Sequence, residues 1–288
     1  MHTLSRLTFL LLFVASCRAY GRLGHHVLGE AISRLVANTT YDWVGERSYF
    51  KQFNNSWGQA SIEADNFKSR PALRWTAKYH YINAADDPPN YCSDIQGWNE
   101  TKGGNILKGI DRFTNLLVKG TGDAFSAILL IHLLQDLIPL HATGKHRGGN
   151  DVFVTYRGKR VNLHRLWDSI LIQELADLAG GTDALIAEIV EGATPRFCAA
   201  SGHATGSEKW DFMPGVVARA NVIEKMNCKI VWRDDLRKPH ILLPVMKGLL
   251  IEAALFSTCH WDHLATEVLQ REKGQKMQSP GQLLLAGQ

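Results

Sequence analysis

No Cys-x2-Cys pair occurs among the five cysteines of this 288-residue chain, so a zinc ribbon is excluded. A charge excess of either sign is also missing. The formal charge is +4 and falls to about +2 once Arg6 and Arg18 are set aside, too little for non-specific adhesion to nucleic acid or membrane, so any polyanion must bind at a local patch. Beyond the first 19 residues no apolar run is expected to be long and charge-free enough to cross a bilayer. Internal repeats, low-complexity segments and linkers are absent from the sequence as well. What is present is a 45% hydrophobic composition, enough to bury a sizeable core in one large domain or two small ones.

The N-terminus has the form of a secretory signal peptide. Arg6 precedes a short apolar core, Leu7 to Ala15, and Cys17-Arg18-Ala19 offers small residues for cleavage after Ala19. Residues 1–19 are thus expected to be removed, leaving a domain over 20–288 that is exported to the extracellular space or a secretory or endolysosomal lumen, with no stable membrane association. Sequons at Asn38, Asn54 and Asn99 fit a secreted glycoprotein. Cys92, Cys198, Cys228 and Cys259 remain, and an oxidising compartment suggests one or two disulfides among them.

Apolar periodicity predicts helices over 23–36, 105–117 and 124–137, then 182–191, 210–225 and, interrupted by Pro244, 240–269. Residues 84–92 hold consecutive prolines and read as a loop. The convincing β segment is 151–161, a hairpin around Arg157-Gly158, after which a helix begins near Asn162. The expected fold is mainly α, one helical domain with one short β-hairpin.

Chemistry concentrates between Ile131 and Asp168. His132 and Asp136 stand four apart, as do His164 and Asp168, and that spacing places an imidazole and a carboxylate on one helix face, ready for a cation such as zinc. Average composition alone predicts about half a His-x3-Asp match in such a chain, so helix-surface ion pairs are the competing reading. His132 and Asp136, however, lie in a strongly apolar helix, where both are costly without a partner.

The wider series of motifs is more specific. In order it comprises Gly21, Gly24 and His25; Ala64-Asp65 fifteen residues before His80; Tyr81-Ile82; Asp87-Pro88-Pro89 and Cys92; His132-x3-Asp136; Pro139-Leu140-His141; Gly148-Gly149-Asn150; and Asn162-Leu163-His164-x2-Trp167-Asp168. This series resembles the zinc-dependent, single-strand-preferring nucleases of the S-one/P-one type, structurally related to bacterial zinc phospholipases C. The resemblance implies three zinc ions. One would be held by Asp65, His80, His132 and Asp136, and a second by His141, His164 and Asp168. The third would be held by Asp136 as a bridge, His25, and the α-amino nitrogen and carbonyl oxygen of a mature first residue, Tyr20. It also implies that Asp65 orients an attacking water and that Lys68 stabilises developing charge. Tyr81 would stack on a base, Asn83 would read its edge, and Asn150 would contact phosphate. Cys92 would pair with Cys228, while Cys198 and Cys259 pair with each other or stay free.

The implied substrates are single-stranded DNA, RNA and 3′-nucleotides, hydrolysed to 5′-phosphate products. A phospholipase C-like enzyme and a binding protein that has lost a metal are the alternatives. The sequence departs from the family pattern at three points: Tyr20 in place of Trp, Asn83 in place of an acid, and four rather than five residues between Asp136 and His141. The last would rotate a continuing helix by about 100°, but Pro139 ends the helix there. His26, His203, His240, His260 and His263 match no motif and are expected at helix surfaces or caps, while Lys145, His146 and Arg147 form either a basic rim or a solvated loop.

Overall fold

The computed structural model describes residues 20–100, 102–138, 146–193 and 211–278. The first half contains α1 (Arg22–Leu35), α2 (Asn38–Glu46), α3 (Trp57–Phe67), α4 (Ile106–Val118) and α5 (Ala124–Asp136). A two-stranded antiparallel hairpin follows, β1 (Phe153–Tyr156) with β2 (Lys159–Asn162). Next come α6 (Leu163–Arg165), a π-helical turn Leu166–Ile170 and α7 (Leu171–Ala179) in one continuous stretch, then α8 (Thr182–Ala193), α9 (Met213–Met226) and α10 (Pro239–Gln278). The fold is mainly α, as the periodicity predicts. The expected leader, residues 1–19, lies outside the described residues.

Helix α5 is the axis of the domain. Every residue from Ser126 to Asp136 is buried, as expected of a helix that is apolar on all sides. Asp123 caps its start by accepting from the Ser126 N–H at 3.0 Å. Helices α3 and α4 pack against α5, α1 packs against α3, α8 and α10, and α10 closes the other side. Trp57 and Trp261 meet edge to face at 5.4 Å beside Phe50 and Trp43, joining α3 to α10.

The α1–α3 contact is close because of two glycines. A Cβ on Gly29 would lie 2.5 Å from both the Trp57 carbonyl oxygen and Ser61 Oγ. Glu30, one residue on, accepts from the Ser56 hydroxyl at 2.6 Å and the Gly58 N–H at 2.9 Å, so a carboxylate of α1 sits at the positive N-terminus of α3. The hairpin turns at Arg157 and Gly158, both with positive φ, as a two-residue primed turn requires.

Periodicity does not predict helix α3, which carries Asp65, because its buried face mixes Trp57, Ile62 and Phe67 with Gly58, Ala60, Ser61, Ala64 and Asp65. Three expectations need correction. Helix α10 runs unbroken through Pro244. Pro244 and His240, whose carbonyl loses its partner there, are both exposed, so the freed carbonyl is open to solvent. By length and composition α10 could also cross a bilayer, contrary to expectation, yet its apolar face is packed into the core with Trp261 and Leu264 fully buried. His260 is likewise no surface residue: it is fully buried, with Nε2 2.9 Å from Thr114 Oγ1. His240 is exposed, and His263 is half-buried on the Cys259 carbonyl. His203 lies outside the described residues.

Cys92 and Cys228 form a disulfide, and Cys259 is also disulfide-bonded. Beside the first bridge the carboxyls of Asp86 and Glu224 approach within 4.8 Å. Burial, then the Asp86 carboxylate, push the Glu224 carboxyl from its ordinary 4.5 up to about 9. The folded chain therefore holds a proton that the unfolded chain releases between those values, and stability falls as pH rises through that window.

Two outcomes follow. Glu224→Gln, which cannot ionise, should flatten this slope, so that its melting temperature gains on wild type between pH 5 and pH 8.5; a constant difference across that range would refute the protonated pair. Gly29→Ala should cost about 1–3 kcal/mol in urea unfolding as α1 and α3 are forced apart, and a neutral result would show that the contact can yield.

Candidate metal centre

The end of α5 places a carboxylate where it is least favoured. Asp136 is the last residue of a fully buried helix, at the negative end of its dipole. Its two oxygens face different partners: Oδ1 lies 3.3 Å from His25 Nε2, while Oδ2 lies 2.9 Å from His132 Nε2 and 3.0 Å from His80 Nδ1. Asp65 Oδ1 completes the cluster at 3.9 Å from His132 Nε2 and 4.0 Å from His80 Nδ1. The donor atoms of Asp65, His80 and His132 lie within 4.8 Å of one another, and so do those of His25, His132 and Asp136. All five side chains are buried.

Four elements supply these groups. His25 comes from the first turn of α1, Asp65 from the last turn of α3, and His132 and Asp136 from α5. His80 follows the 3-10 segment Pro71–Tyr79. The His25 and His132 rings stack at 3.9 Å, and His80 meets His132 edge-on at 4.6 Å.

Backbone carbonyls orient two of the imidazoles. His132 Nδ1 is 2.6 Å from the Ser61 oxygen, and His164 Nδ1 is 2.9 Å from the Gly148 oxygen. Because a carbonyl only accepts, Nδ1 carries a proton in both rings and Nε2 is the atom turned inward towards the carboxylates, the orientation of a metal-bound histidine.

The electrostatics match this arrangement. Burial works to raise the Asp136 carboxyl, but His132, His25 and His80 together hold it well below the usual carboxylate range. Asp65 is lowered against the same burial cost by His132, Lys68 and His25, with Lys68 Nζ only 2.5 Å from Oδ1. Burial pushes the His80 imidazole down to about 4, so it is neutral. His132 shifts upward, because Asp136 and Asp65 outweigh burial. His25 Nε2 and Asp136 Oδ1 are both buried without a well-formed hydrogen bond among the described residues. A divalent cation would satisfy both, and the imidazole-carboxylate donor set suits zinc.

His164 and Asp168 come together at 2.7 Å across the π-helical turn, a distortion that often marks functional sites. Their expected third partner, His141, lies outside the described residues. Tyr20 is buried, its ring edge-on to His25 at 6.0 Å. Its hydroxyl is held well above the ordinary range by burial and then by Asp168 and Asp136. The next residue, Gly21, donates its N–H to the Asp168 carbonyl at 2.9 Å, so the residue expected to begin the mature chain lies close to both carboxylates.

Tyr81 and Asn83 are exposed. Tyr81 and Ile82 line a cleft with His80, Asp136, Leu137 and Glu224, and Asn83 lines an adjoining groove of about 320 Å³ with Tyr91 and Trp98. Asn150 donates to the Arg147 carbonyl at 2.9 Å within the turn that presents Gly148 to His164. Of the expected basic rim, Lys145 lies outside the described residues, Arg147 pairs with Asp151, and His146 sits 4.9 Å from the Trp232 ring. Asn38, Asn54 and Asn99 are exposed. Sequence reading missed Gln135, fully buried and 2.8 Å from His25 Nδ1; a polar residue inside so apolar a helix was the available signal.

Comparison with known proteins gives an independent result. Residues 20–234 match the family described as S1/P1 Nuclease. The chain is 29% identical over 165 residues to Nuclease S1 of Aspergillus oryzae, covering 54% of this chain and 56% of that protein. It is 27% identical over 167 residues to Nuclease P1 of Penicillium citrinum, covering 54% and 59%. With Endonuclease 2 of Arabidopsis thaliana the identity is 26% over 184 residues, 58% of this chain and 61% of that protein. The chain therefore spans somewhat over half the length of the curated relatives it matches.

Asp136→Asn removes the charge shared by both halves of the cluster. It should lower bound zinc, measured by atomic emission on dialysed protein, while far-ultraviolet circular dichroism stays unchanged. Full zinc content in that variant would contradict a shared carboxylate ligand.

Proposed function

Because the chain belongs to the S1/P1 nuclease family, we propose that it is a zinc-dependent phosphodiesterase that hydrolyses single-stranded DNA and RNA to 5′-phosphate products, with 3′-nucleotides as further substrates. The observation that carries this reading is the two-sided use of buried Asp136, with His25 on one oxygen and His80 and His132 on the other. Three zinc ions would be held: one by Asp65, His80, His132 and Asp136, one by Asp136, His25 and the backbone amine and carbonyl of Tyr20, and one by His141, His164 and Asp168. When bound, zinc lowers the pKa of coordinated water and neutralises phosphate oxygens.

The chain's own groups complete the chemistry. Asp65 stays ionised and orients the attacking water, and Lys68 holds its ammonium beside Asp65, where charge develops on the phosphate. Exposed Tyr81, directly after His80, offers a ring for stacking, and Asn83 offers an amide for a base edge. Asn150 contributes a further polar contact near His164. Stacking of this kind requires a base free of its partner, which favours single strands. Removal of residues 1–19 during export frees the Tyr20 amine, so maturation and metal binding become linked, and the exposed Asn38, Asn54 and Asn99 accept glycans on the same route.

The test is hydrolysis by the purified, exported protein in zinc buffer. Single-stranded DNA should be cut at least about tenfold faster than duplex, the discrimination of one well-placed interaction, with phosphate on the 5′ ends. A chelator should abolish this activity and zinc should restore it. Cleavage of phosphatidylcholine alone would favour the phospholipase C type, and zinc binding without hydrolysis of either substrate would favour a binding protein.

A further inference from the structure

Helices α1, α3 and α5 enclose a chain of hydrogen bonds whose direction is fixed from one end. The Trp57 carbonyl oxygen can only accept, so the Ser61 hydroxyl, 2.8 Å away, donates its proton there. Ser61 Oγ is then an acceptor for the Gln135 amide, whose Nε2 lies at 2.9 Å. That contact settles the orientation of the amide, and Gln135 Oε1 faces His25 Nδ1 at 2.8 Å. An amide oxygen also only accepts, so Nδ1 carries the imidazole proton. In the neutral ring His25 Nε2 is then the lone-pair atom, and it is this atom that lies 3.3 Å from Asp136 Oδ1. At that distance the two atoms are joined either by a second proton on the ring or by a metal ion between them.

Ser61, Gln135 and His25 are all fully buried, so water does not compete for these bonds. The arrangement differs from those at His132 and His164, which rest on backbone carbonyls that no substitution removes. His25 depends on a side chain. Ser61 serves both systems, since its carbonyl holds His132 while its hydroxyl anchors Gln135.

We infer that Gln135, anchored by Ser61, is a positioning residue that sets the tautomer of His25 and thereby determines how tightly the His25–Asp136 side of the centre takes a divalent cation. The inference rests on the metal-binding reading, although its tautomer component is independent of it. Gln135→Leu removes the acceptor. Gln135→Glu preserves it, because a buried carboxylic acid can accept from His25 and donate to Ser61 as the amide does. Ser61→Ala removes the anchor and leaves the carbonyl on His132.

Zinc affinity would be measured on the mature chain by competition with a chromophoric chelator, and the imidazole tautomer by long-range proton–nitrogen spectra of the zinc-free protein. Gln135→Leu is expected to weaken one zinc-binding step about 10–100-fold, the usual effect of losing a ligand's outer partner. The His25 signal should shift away from the Nδ1–H form. Ser61→Ala should give a smaller loss in the same step, and Gln135→Glu should recover it. If Gln135→Leu does not fold, the contrast between Ser61→Ala and Gln135→Glu carries the test. Variants that bind zinc within about twofold of wild type, well below that range, and keep the Nδ1–H spectrum would overturn the inference. A wild-type protein that binds no zinc would overturn the metal reading instead, and an Nε2–H spectrum in it would overturn the positioning role.

Discussion

A carboxylate at the end of a helix buried on all sides must be matched by groups equally deep in the protein, and Asp136 imposes that condition on this fold. Leaving such a charge unpaired would cost several kcal/mol, more than most single contacts return. The fold meets the condition by bringing the start of α1, the end of α3 and the segment after the 3-10 turn to the same point. Each element has its own means of reaching it: the close approach at Gly29, the Glu30 carboxylate at the start of α3, and the carbonyl of Ser61 beneath His132. Packing and chemistry are thus the same problem here, because helices that fit less closely would also leave the donor atoms too far apart to share a cation.

Burial of the cluster contrasts with exposure at its rim. His80 is buried and the residue after it is not, so one step of the chain passes from the buried cluster to the open surface. Among the described residues no lysine or arginine lines this opening, and Lys68 pairs with Asp65. Under the proposed function, selectivity for a polyanion would fall to the centre and to the rings beside it, in keeping with a net charge of only +4.

Much of this was legible in the sequence where one principle acted alone. Helix α5 announced itself by continuous apolarity, the hairpin by Arg157-Gly158, and the two His-x3-Asp pairs by helical spacing. Legibility failed where two requirements competed for the same residues. In α3 the buried face had to admit a neighbouring helix and a carboxylate, so small and polar residues interrupt the large apolar ones, Trp57, Ile62 and Phe67, that periodicity detects. His260 gave no sign of its burial because its partner, Thr114, lies 146 residues away. Gln135 was overlooked for a related reason, since its role depends on a proton whose position is set on another helix.

The Cys92–Cys228 bridge closes a covalent ring, with one arm before it and another after it. His132, Asp136, His164 and Asp168 lie within the ring, whereas His25, Asp65 and His80 lie on the arm that precedes it. The centre is therefore a seam between two covalently distinct parts, which shared contacts to a cation would stitch together. A protease that nicks the ring once leaves all its ligands tethered, but a cut between His25 and Asp65 leaves the α1 segment held by packing and the seam alone. With a cation bound, resistance to proteolysis in that first stretch would be a property of the metal as much as of the fold.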